Sequence, residues 1–404
     1  MNSDDELEFE LRRRYEHKMG GLPRWAQQTA SVAINKATET TSDKDDLKIH
    51  DDFENNAIEC EDNYYLDPQT LNYQKVECRQ MNHNKRVTSV EFNPRARILL
   101  SSSADISMKL WEVGNNKLTN LHTETFHSKV LPTQAAFITP DHDKVLILNG
   151  KNRSEDMMYF DLNTSQCRSQ NLLSSVKYTK GGLRSMSVSP NGLYIALLAY
   201  ENMIYLLNSQ SLEVIRKYSL SAKTATSTCF TSDSQHLLAA DVDANIYLFN
   251  FESNRCLQKF NDQGGFSGKT FISLSPSDKY LAVGSHTGIV NVYNCKRSSS
   301  DSKLFDFELI KYFDNVLCPV TFLTFNHSSE MFAFGSSYDW NALKIAHCSS
   351  MTVFKNIPKQ FFKDEEKQKR IFKCAGFSPN SGFFVAGKDN GKLDVFRLNH
   401  YCQY

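Results

Sequence analysis

Short segments of alternating apolar and polar residues recur along the chain from about residue 85. Each ends in an apolar residue, a small polar residue and, in most cases, proline. The seven occurrences are Phe92-Asn93-Pro94, Ile138-Thr139-Pro140, Val188-Ser189-Pro190, Phe230-Thr231-Ser232, Leu274-Ser275-Pro276, Phe325-Asn326-His327 and Phe377-Ser378-Pro379. Their third positions follow one another at intervals of 46, 50, 42, 44, 51 and 52 residues. A self-similar unit at such a period indicates a repeat architecture.

Each tripeptide is followed by a polar turn, an apolar run, a second turn and a third apolar segment. The third segment closes on a large apolar residue at offset 17 in five repeats, and at 20 and 18 in the second and sixth: Trp111, Phe160, Leu207, Phe249, Tyr293, Ile345 and Phe396. Strands joined by polar turns form an antiparallel meander, and about four strands per 40 to 50 residues is typical of a propeller blade. The pattern predicts an all-β, seven-bladed WD40-like β-propeller over 85–404, after a lead-in at 61–84.

The repeats depart from a well-formed WD repeat, which closes on Trp-Asp and carries a Gly-His pair upstream. Only Trp111-Glu112 keeps the tryptophan, and no Gly-His pair occurs in the chain. We therefore expect a divergent propeller that has lost most of its buried polar network and is held chiefly by packing.

Residues 1–60 form a polar tail with fourteen acidic and eight basic side chains. Its middle part has too few large apolar residues to offset the entropy of ordering, so we predict a mostly disordered tail. Leu7 and Leu11 lie on one stripe of a short helix, which is either a solvated helix or a docking helix, and Pro23 and Trp25 resemble an anchor. These four residues are the predicted partner-docking positions.

Composition excludes several classes of protein. Lys plus Arg and Asp plus Glu are both 46, which argues against a protein that coats nucleic acid by charge alone. The longest wholly apolar run, Leu193 to Tyr200, is too short for a membrane span of about 20 residues. Met1 to Glu10 is acidic, unlike a secretory signal, and the 10 cysteines include no C-x-x-C pair. We expect an intracellular protein with free thiols.

Motifs that carry catalysis are missing from the sequence, including phosphate-binding glycine loops, paired zinc histidines and a nucleophile elbow. Asp105, Asp243 and Asp389 recur at equivalent turns, where aspartate commonly bonds its own backbone. We therefore expect no enzyme activity, no catalytic or metal site, no cofactor and no small-molecule substrate.

Segments at both ends of the chain, together with the fifth repeat, resemble one family. They are Gly20-Gly21-Leu22-Pro23-Arg24-Trp25-Ala26, Ser285-His286-Thr287-Gly288-Ile289-Val290-Asn291-Val292-Tyr293-Asn294, and Phe377-Ser378-Pro379-Asn380-Ser381-Gly382-Phe383-Phe384 with Arg397-Leu398-Asn399-His400-Tyr401. They are similar to the corresponding segments of the U3 small nucleolar RNA-associated protein 18 family of WD-repeat proteins.

This resemblance implies a nucleolar, non-catalytic scaffold subunit of the small-subunit processome. The implied partners are the propeller and helical-repeat proteins of the processome B subcomplex, and U3 snoRNA and pre-rRNA through indirect or weak contacts. Some relatives recruit the exosome's RNA helicase through a Leu-Phe-x-apolar-Asp motif. The tail has no good copy of that motif, since Lys48 follows Leu47.

Two other functions remain open at this point. A propeller is a common substrate receptor of cullin-type ubiquitin ligases, which predicts co-purification with a cullin adaptor. A direct RNA-binding module is the second, and it predicts a steep salt dependence of binding to pre-rRNA.

Overall fold

The computed structural model describes residues 66–78, 83–114, 117–126, 130–150, 156–171, 182–200, 202–220, 224–297, 304–340, 342–357 and 371–401. In this part of the chain all regular structure is β-strand, which confirms the predicted all-β propeller class. No helix among the described residues is long and apolar enough to cross a membrane. The predicted tail lies outside the described residues.

The strands follow the sequence repeats. Strand β1 is Tyr73–Cys78. Repeat 1 has β2 (Val87–Phe92), β3 (Ile98–Ser103), β4 (Ser107–Val113) and β5 (Lys117–Thr125). Repeat 2 has β6 (Pro132–Ile138), β7 (Lys144–Asn149), β8 (Asp156–Asp161) and β9 (Gln166–Asn171). Repeat 3 has β10 (Leu183–Val188), β11 (Tyr194–Ala199), β12 (Met203–Asn208) and β13 (Val214–Ser219).

Repeat 4 has β14 (Ala225–Phe230), β15 (His236–Asp241), β16 (Asn245–Asn250) and β17 (Arg255–Asn261). Repeat 5 has β18 (Phe271–Leu274), β19 (Tyr280–Gly284), β20 (Val290–Arg297) and β21 (Phe305–Phe313). Repeat 6 has β22 (Phe322–Phe325), β23 (Met331–Gly335), β24 (Leu343–His347) and β25 (Thr352–Val353). Repeat 7 has β26 (Phe372–Phe377), β27 (Phe383–Lys388) and β28 (Leu393–Leu398).

The sheets differ from the prediction of seven separate blades. Repeats 2 to 6 form five separate four-stranded sheets, while repeats 1 and 7 join in one eight-stranded sheet of order β2-β3-β4-β5-β1-β28-β27-β26. The cause is β1, a strand from the predicted lead-in. It pairs antiparallel with β28 over Tyr73 to Val76, and then parallel with β5 through Glu77 and Cys78. The prediction was wrong because it gave the lead-in no strand.

The small polar residue of each tripeptide closes the turn between the first two strands of its repeat. All seven are buried: Asn93, Thr139, Ser189, Thr231, Ser275, Asn326 and Ser378. In repeats 3 to 7 its side-chain oxygen accepts a hydrogen bond from the backbone N–H five residues later, as Ser378 Oγ does from Phe383 at 2.9 Å. The position is polar because a buried turn needs an acceptor there.

A belt of hydrogen bonds joins these turns around the propeller. Each acceptor is the side chain of a residue with positive φ in the next repeat: Ser234, Asp278, Ser329 and Ser381. The donors are the backbone N–H groups of Asn191, Ser232, Ser277 and Ser328, at 3.2, 2.9, 3.1 and 3.3 Å respectively. At the junction of repeats 2 and 3 the positive-φ residue is Gly192, where a Cβ would lie 2.5 Å from the carbonyl oxygen of Thr139. The two turns therefore touch there through backbone alone.

The apolar core lies between neighbouring repeats. The residues predicted to close the third strands, Trp111, Phe160, Leu207, Phe249, Tyr293, Ile345 and Phe396, are all buried. Leu66 and Leu71 of the lead-in join the cluster that contains Phe354, Phe372 and Phe396 of repeats 6 and 7. The lead-in is therefore part of the packed body of the propeller.

Candidate protein-docking surface

The four docking residues predicted from the sequence, Leu7, Leu11, Pro23 and Trp25, lie outside the described residues. The propeller is the part of the chain whose candidate sites the structure describes. Within its described residues, no group of three or more His, Cys, Asp or Glu side chains is placed to hold a metal ion. Burial raises the pKa of Cys295, Cys348 and Cys374 to about 12, so these thiols are poor nucleophiles at neutral pH.

A cavity of about 460 Å³ opens between repeats 3 and 4, lined by Asn191, Tyr194, Asp233, Ser234, Gln235, Phe251 and Glu252. Its central carboxylate is engaged in the turn. Asp233 Oδ1 accepts hydrogen bonds from Thr231 Oγ1 at 2.6 Å and from the backbone N–H of Gln235 at 2.9 Å. Asp233 Oδ2 lies 3.2 Å from Arg297 Nη2. These bonds tie the Asp233 carboxylate to the protein's own groups.

Repeat 1 retains a buried polar network that sequence reasoning missed. Trp111 Nε1–H donates to Ser101 Oγ at 2.8 Å, and Ser101 Oγ lies 2.8 Å from His83 Nε2. On the other side of the ring, His83 Nδ1 lies 3.0 Å from Ser107 Oγ, which donates to Asp105 Oδ1. With a neutral His83 protonated at Nδ1, every donor in this chain has an acceptor. The search for a Gly-His pair overlooked His83, because Asn82 precedes it.

The network also fixes the protonation state of His83. Burial lowers its pKa to about 4, and the nearby Asp105 carboxylate opposes that shift only in part. The ring is therefore neutral at physiological pH, as the hydrogen-bond pattern requires. Asp105 Oδ2 also accepts the backbone N–H of Asn84 at 2.9 Å, so this turn aspartate has the structural role that its recurrence indicated.

A related network holds the connection between repeats 4 and 5. Asp262 is buried and accepts hydrogen bonds from Tyr293 Oη at 2.6 Å and Asn291 Nδ2 at 2.9 Å. Its backbone carbonyl accepts the N–H of Gly265 at 3.0 Å. Asp262 thus anchors the start of the loop that presents Phe266.

Large apolar side chains are exposed in the loops of repeats 5 and 6. The exposed fractions are 61% for Phe266, 87% for Leu317, 63% for Tyr338 and 45% for Trp340. We call these four residues the rim surface. Apolar residues clustered in neighbouring loops commonly mark a protein-interaction site, whereas single exposed apolar residues are ordinary.

The loops that carry the rim surface are linked by direct contacts, each loop to the next one around the propeller. A Cβ on Gly268 would lie 2.4 Å from His286 Cβ, and one on Gly288 would lie 2.2 Å from the carbonyl oxygen of Val316. Ser337 N–H then donates to Thr321 Oγ1 at 2.8 Å. The four side chains therefore lie on successive, contacting loops.

These loops are anchored on both sides of each exposed residue. Leu317 lies between Val316 and Val320, which are buried, and the N–H of Val320 donates to the carbonyl oxygen of Ser285 at 3.2 Å. Ser336 and Ala342, which flank Tyr338 and Trp340, are also buried, and Ser336 N–H donates to the Ala342 carbonyl oxygen at 2.9 Å. The rim surface is thus held in place by its supports.

The family model described as WD domain, G-beta repeat, matches residues 76–112. This range covers most of repeat 1 and includes all five members of the buried network: His83, Ser101, Asp105, Ser107 and Trp111. The match lies on the repeat that retains its polar network.

Curated proteins from several eukaryotes are similar to most of the chain. The human protein named U3 small nucleolar RNA-associated protein 18 homolog is 28% identical, over 100% of this chain and 69% of its own length. The Caenorhabditis elegans protein of the same name is 27% identical, over 80% of this chain and 73% of its own. The Schizosaccharomyces pombe protein, named as a probable member, is 25% identical over 83% and 62%. The resemblance inferred from the sequence is thereby confirmed.

A solved structure supports the fold. The Cps50 (Swd1) β-propeller domain of Myceliophteria thermophila superimposes with a TM-score of 0.62 and 15% identity, covering 80% of this chain and 99% of that domain. At this identity the similarity concerns the propeller architecture.

Proposed function

We propose that this protein is a non-catalytic scaffold subunit of the small-subunit processome, which acts with U3 snoRNA in nucleolar pre-rRNA processing and 18S rRNA maturation. The observation that carries the proposal is the similarity, over 100% of this chain, to a human protein named for its association with U3 small nucleolar RNA. The proposed location is the nucleolus, and the proposed partners are propeller and helical-repeat proteins of the processome B subcomplex.

The architecture supports a scaffold role. The first strands of the repeats contact one another in cyclic order from β2 through β6, β10, β14, β18 and β22 to β26, which contacts β2. We interpret the eight-stranded sheet as two blades that share β1, so that seven repeats contribute to one closed ring. A closed ring with anchored loops presents a rigid surface, which lowers the entropic cost of binding partners.

The proposal includes the tail as a second contact with partners, through Leu7, Leu11, Pro23 and Trp25. Segments of this composition can dock in extended or helical form. Replacing all four residues with serine should reduce recovery of the partners without changing the melting temperature of the propeller. Unchanged recovery would contradict this part of the proposal.

The main test is depletion of the protein from its own cells, with pulse labelling of rRNA. We expect loss of 18S rRNA with preserved large-subunit rRNA, and recovery of U3 snoRNA with the tagged full-length chain. Equal loss of both rRNA classes, or of neither, would contradict the proposal.

The alternative function, a substrate receptor of a cullin-type ubiquitin ligase, is not favoured, because the relatives described above are named for U3 association. Co-purification with a cullin adaptor in place of U3 snoRNA would support that alternative.

A further inference from the structure

We propose that the rim surface binds a segment of another protein, in which apolar anchor side chains are flanked by lysine or arginine. The inference rests on the proposed scaffold function and adds the site and the chemistry of one partner. Phe266, Leu317, Tyr338 and Trp340 supply the apolar contacts, and the loops beneath them are already ordered.

Exposed aromatic side chains have two common uses, as anchors for protein partners and as stacking platforms for single-stranded RNA. RNA binding also needs cations that neutralise phosphates. The four loops of the rim surface carry one exposed lysine, Lys269, and two exposed carboxylates, Asp314 and Asp339. Lys373 of β26 also reaches this surface, where its Nζ donates to the Ser337 carbonyl oxygen at 3.2 Å and lies 3.6 Å from Asp389 Oδ1, so its charge is paired. Asp262 is buried, and His286 is exposed. These loops offer one unpaired lysine for phosphate contacts, and the two carboxylates favour a partner with basic residues beside its apolar anchors.

The charges also argue against a second copy of the chain as the occupant. In a two-fold dimer the same patch meets itself, so the net negative charge of these loops would meet an equal net negative charge on the other copy. Like charges placed together at an interface are unfavourable. A different protein with basic flanks avoids this repulsion.

Rigid, clustered anchors should concentrate the binding energy in few residues. Hot spots are enriched in tryptophan and tyrosine, and truncation of one of them commonly weakens binding by about thirtyfold or more. The buried supports at Val316, Val320, Ser336 and Ala342 leave little ordering of these loops to occur on binding. We therefore expect truncation of the rim surface to weaken binding strongly without unfolding the protein.

The first experiment identifies the occupant by site-specific crosslinking in the full-length protein, expressed in its own cells. Phe266 and Tyr338 are replaced one at a time by the photo-crosslinking analogue p-benzoylphenylalanine, and Leu121, exposed on β5, serves as the control position. The expected product joins positions 266 and 338 to one protein, at a segment with apolar residues flanked by lysine or arginine. Crosslinks to RNA, to a second copy, to an acidic segment, or equally at position 121 would overturn the proposal.

The second experiment measures affinity between the purified full-length chain and a synthetic peptide of the crosslinked segment. The double substitution Leu317→Ser with Trp340→Ser should weaken binding by at least about tenfold. The matched control, Leu121→Ser with Ile215→Ser, changes two exposed apolar residues of other repeats and should leave affinity within about twofold. Equal affinity of the rim variant and the control would overturn the proposal.

Charge is tested with Asp314→Asn and Asp339→Asn together. The double variant should bind the same peptide about threefold to tenfold more weakly at low salt, and with a smaller salt dependence. Tighter binding by this variant would contradict a basic partner. If the chain fails to recover U3 snoRNA while the peptide still binds the rim surface, the proposed function fails and this inference stands. If the chain recovers U3 snoRNA but the peptide does not bind the rim surface, this inference fails and the proposed function stands.

Discussion

Repeats 1 and 6 hold their sheets by different chemistry. Repeat 1 buries a polar chain that runs from Trp111 through Ser101 and His83 to Ser107 and Asp105. Repeat 6 buries phenylalanines instead. Phe332 packs with ring centroids 5.2 Å from Phe325, 5.5 Å from Phe334 and 5.6 Å from Phe313 of repeat 5.

Their outer edges differ as well. In repeat 1 the outer strand β5 has nine residues, whereas β25 of repeat 6 has two. The lead-in compensates for the short edge. Asn356 Nδ2 donates to the carbonyl oxygen of Leu71 at 2.8 Å, and Asn356 Oδ1 accepts the N–H of Leu71 at 3.2 Å. Repeat 6 therefore keeps the same architecture without the polar network of repeat 1 and with a much shorter outer strand. Phenylalanine packing replaces the network, and the lead-in covers the short edge.

The largest expected effect is Phe332→Ala. It opens a cavity among three rings in a repeat that depends on packing, so we expect a loss of about 3–5 kcal/mol in the free energy of unfolding. Urea denaturation measures it. Phe266→Ala makes the same change at an exposed position and should cost far less, and equal losses would contradict the assignment of repeat 6 to packing.

Ser101→Ala should destabilise repeat 1 by removing a member of its buried polar network. It removes the partner of both Trp111 Nε1–H and His83 Nε2, and two buried polar groups without partners cost about 2–4 kcal/mol. The measurement is the same denaturation series, with the exposed Ser267→Ala as control. A loss of no more than about 0.5 kcal/mol in the free energy of unfolding would show that the network contributes little to stability.

The pH dependence of stability should test whether His83 of repeat 1 is neutral in the folded protein. The pKa of His83 falls from its usual 6.5 to about 4 on folding, so the folded state favours the neutral ring. The stabilisation is fully present above pH 6.5 and is lost as the pH falls towards 4, by about 3 kcal/mol in all. Burial also lowers the pKa of His142 and His347, so the diagnostic quantity is the difference between the parent and His83→Gln. Parallel pH profiles for the two proteins would contradict a neutral, buried His83.

Asn356→Ala should loosen the lead-in from repeat 6. Loss of the paired bonds to Leu71 should cost about 1–3 kcal/mol and speed hydrogen exchange at the Leu71 amide. Asn315→Ala, at an exposed position, serves as control. Unchanged exchange at Leu71 would mean that the segment is held by the packing of Leu66 and Leu71 and by its other bonds to repeat 6, such as that from Lys355 N–H to the Gln69 carbonyl oxygen.

The smallest expected effect is Leu317→Ser. Because Leu317 is 87% exposed, its replacement should change the free energy of unfolding by no more than about 0.5 kcal/mol. Thermal melting measures it. A larger loss would mean that the rim surface has a structural role.

The sequence pattern predicted those parts of the fold that repeat locally. Apolar residues at a nearly constant offset from each tripeptide, such as Trp111 and Tyr293, are buried as expected, because strand length and turn length fix their place. The sequence pattern identified the tripeptide but not the reason why its middle residue is polar. Ser378 closes its turn by accepting the Phe383 N–H, and Ser381 accepts the N–H of Ser328 from the neighbouring repeat. Both bonds depend on backbone geometry that the spacing of residues along the chain does not specify.

Long-range pairings and exposure could not be predicted. Strand β1 pairs with β28, which lies more than 300 residues further along the chain, and no local pattern reports such a partner. His83 joins its network from a loop, so its role depends on where that loop returns to the sheet. The rim surface was missed for a related reason, because Phe266 and Leu317 are apolar like core residues and only the folded structure shows that their side chains are exposed.

The belt of turn-to-turn hydrogen bonds has a mechanical consequence. It links repeats 3 to 7 through side chains, while repeats 1 and 7 are held together by β1. A pulling force applied to the chain before Leu66 would first load the bonds from Thr352 Oγ1 to the Pro68 carbonyl oxygen and from Lys355 N–H to the Gln69 carbonyl oxygen. The Asn356–Leu71 pair and then the pairing of β1 with β28 would be loaded next. The ring should therefore open at this junction under tension, while the belted repeats stay together.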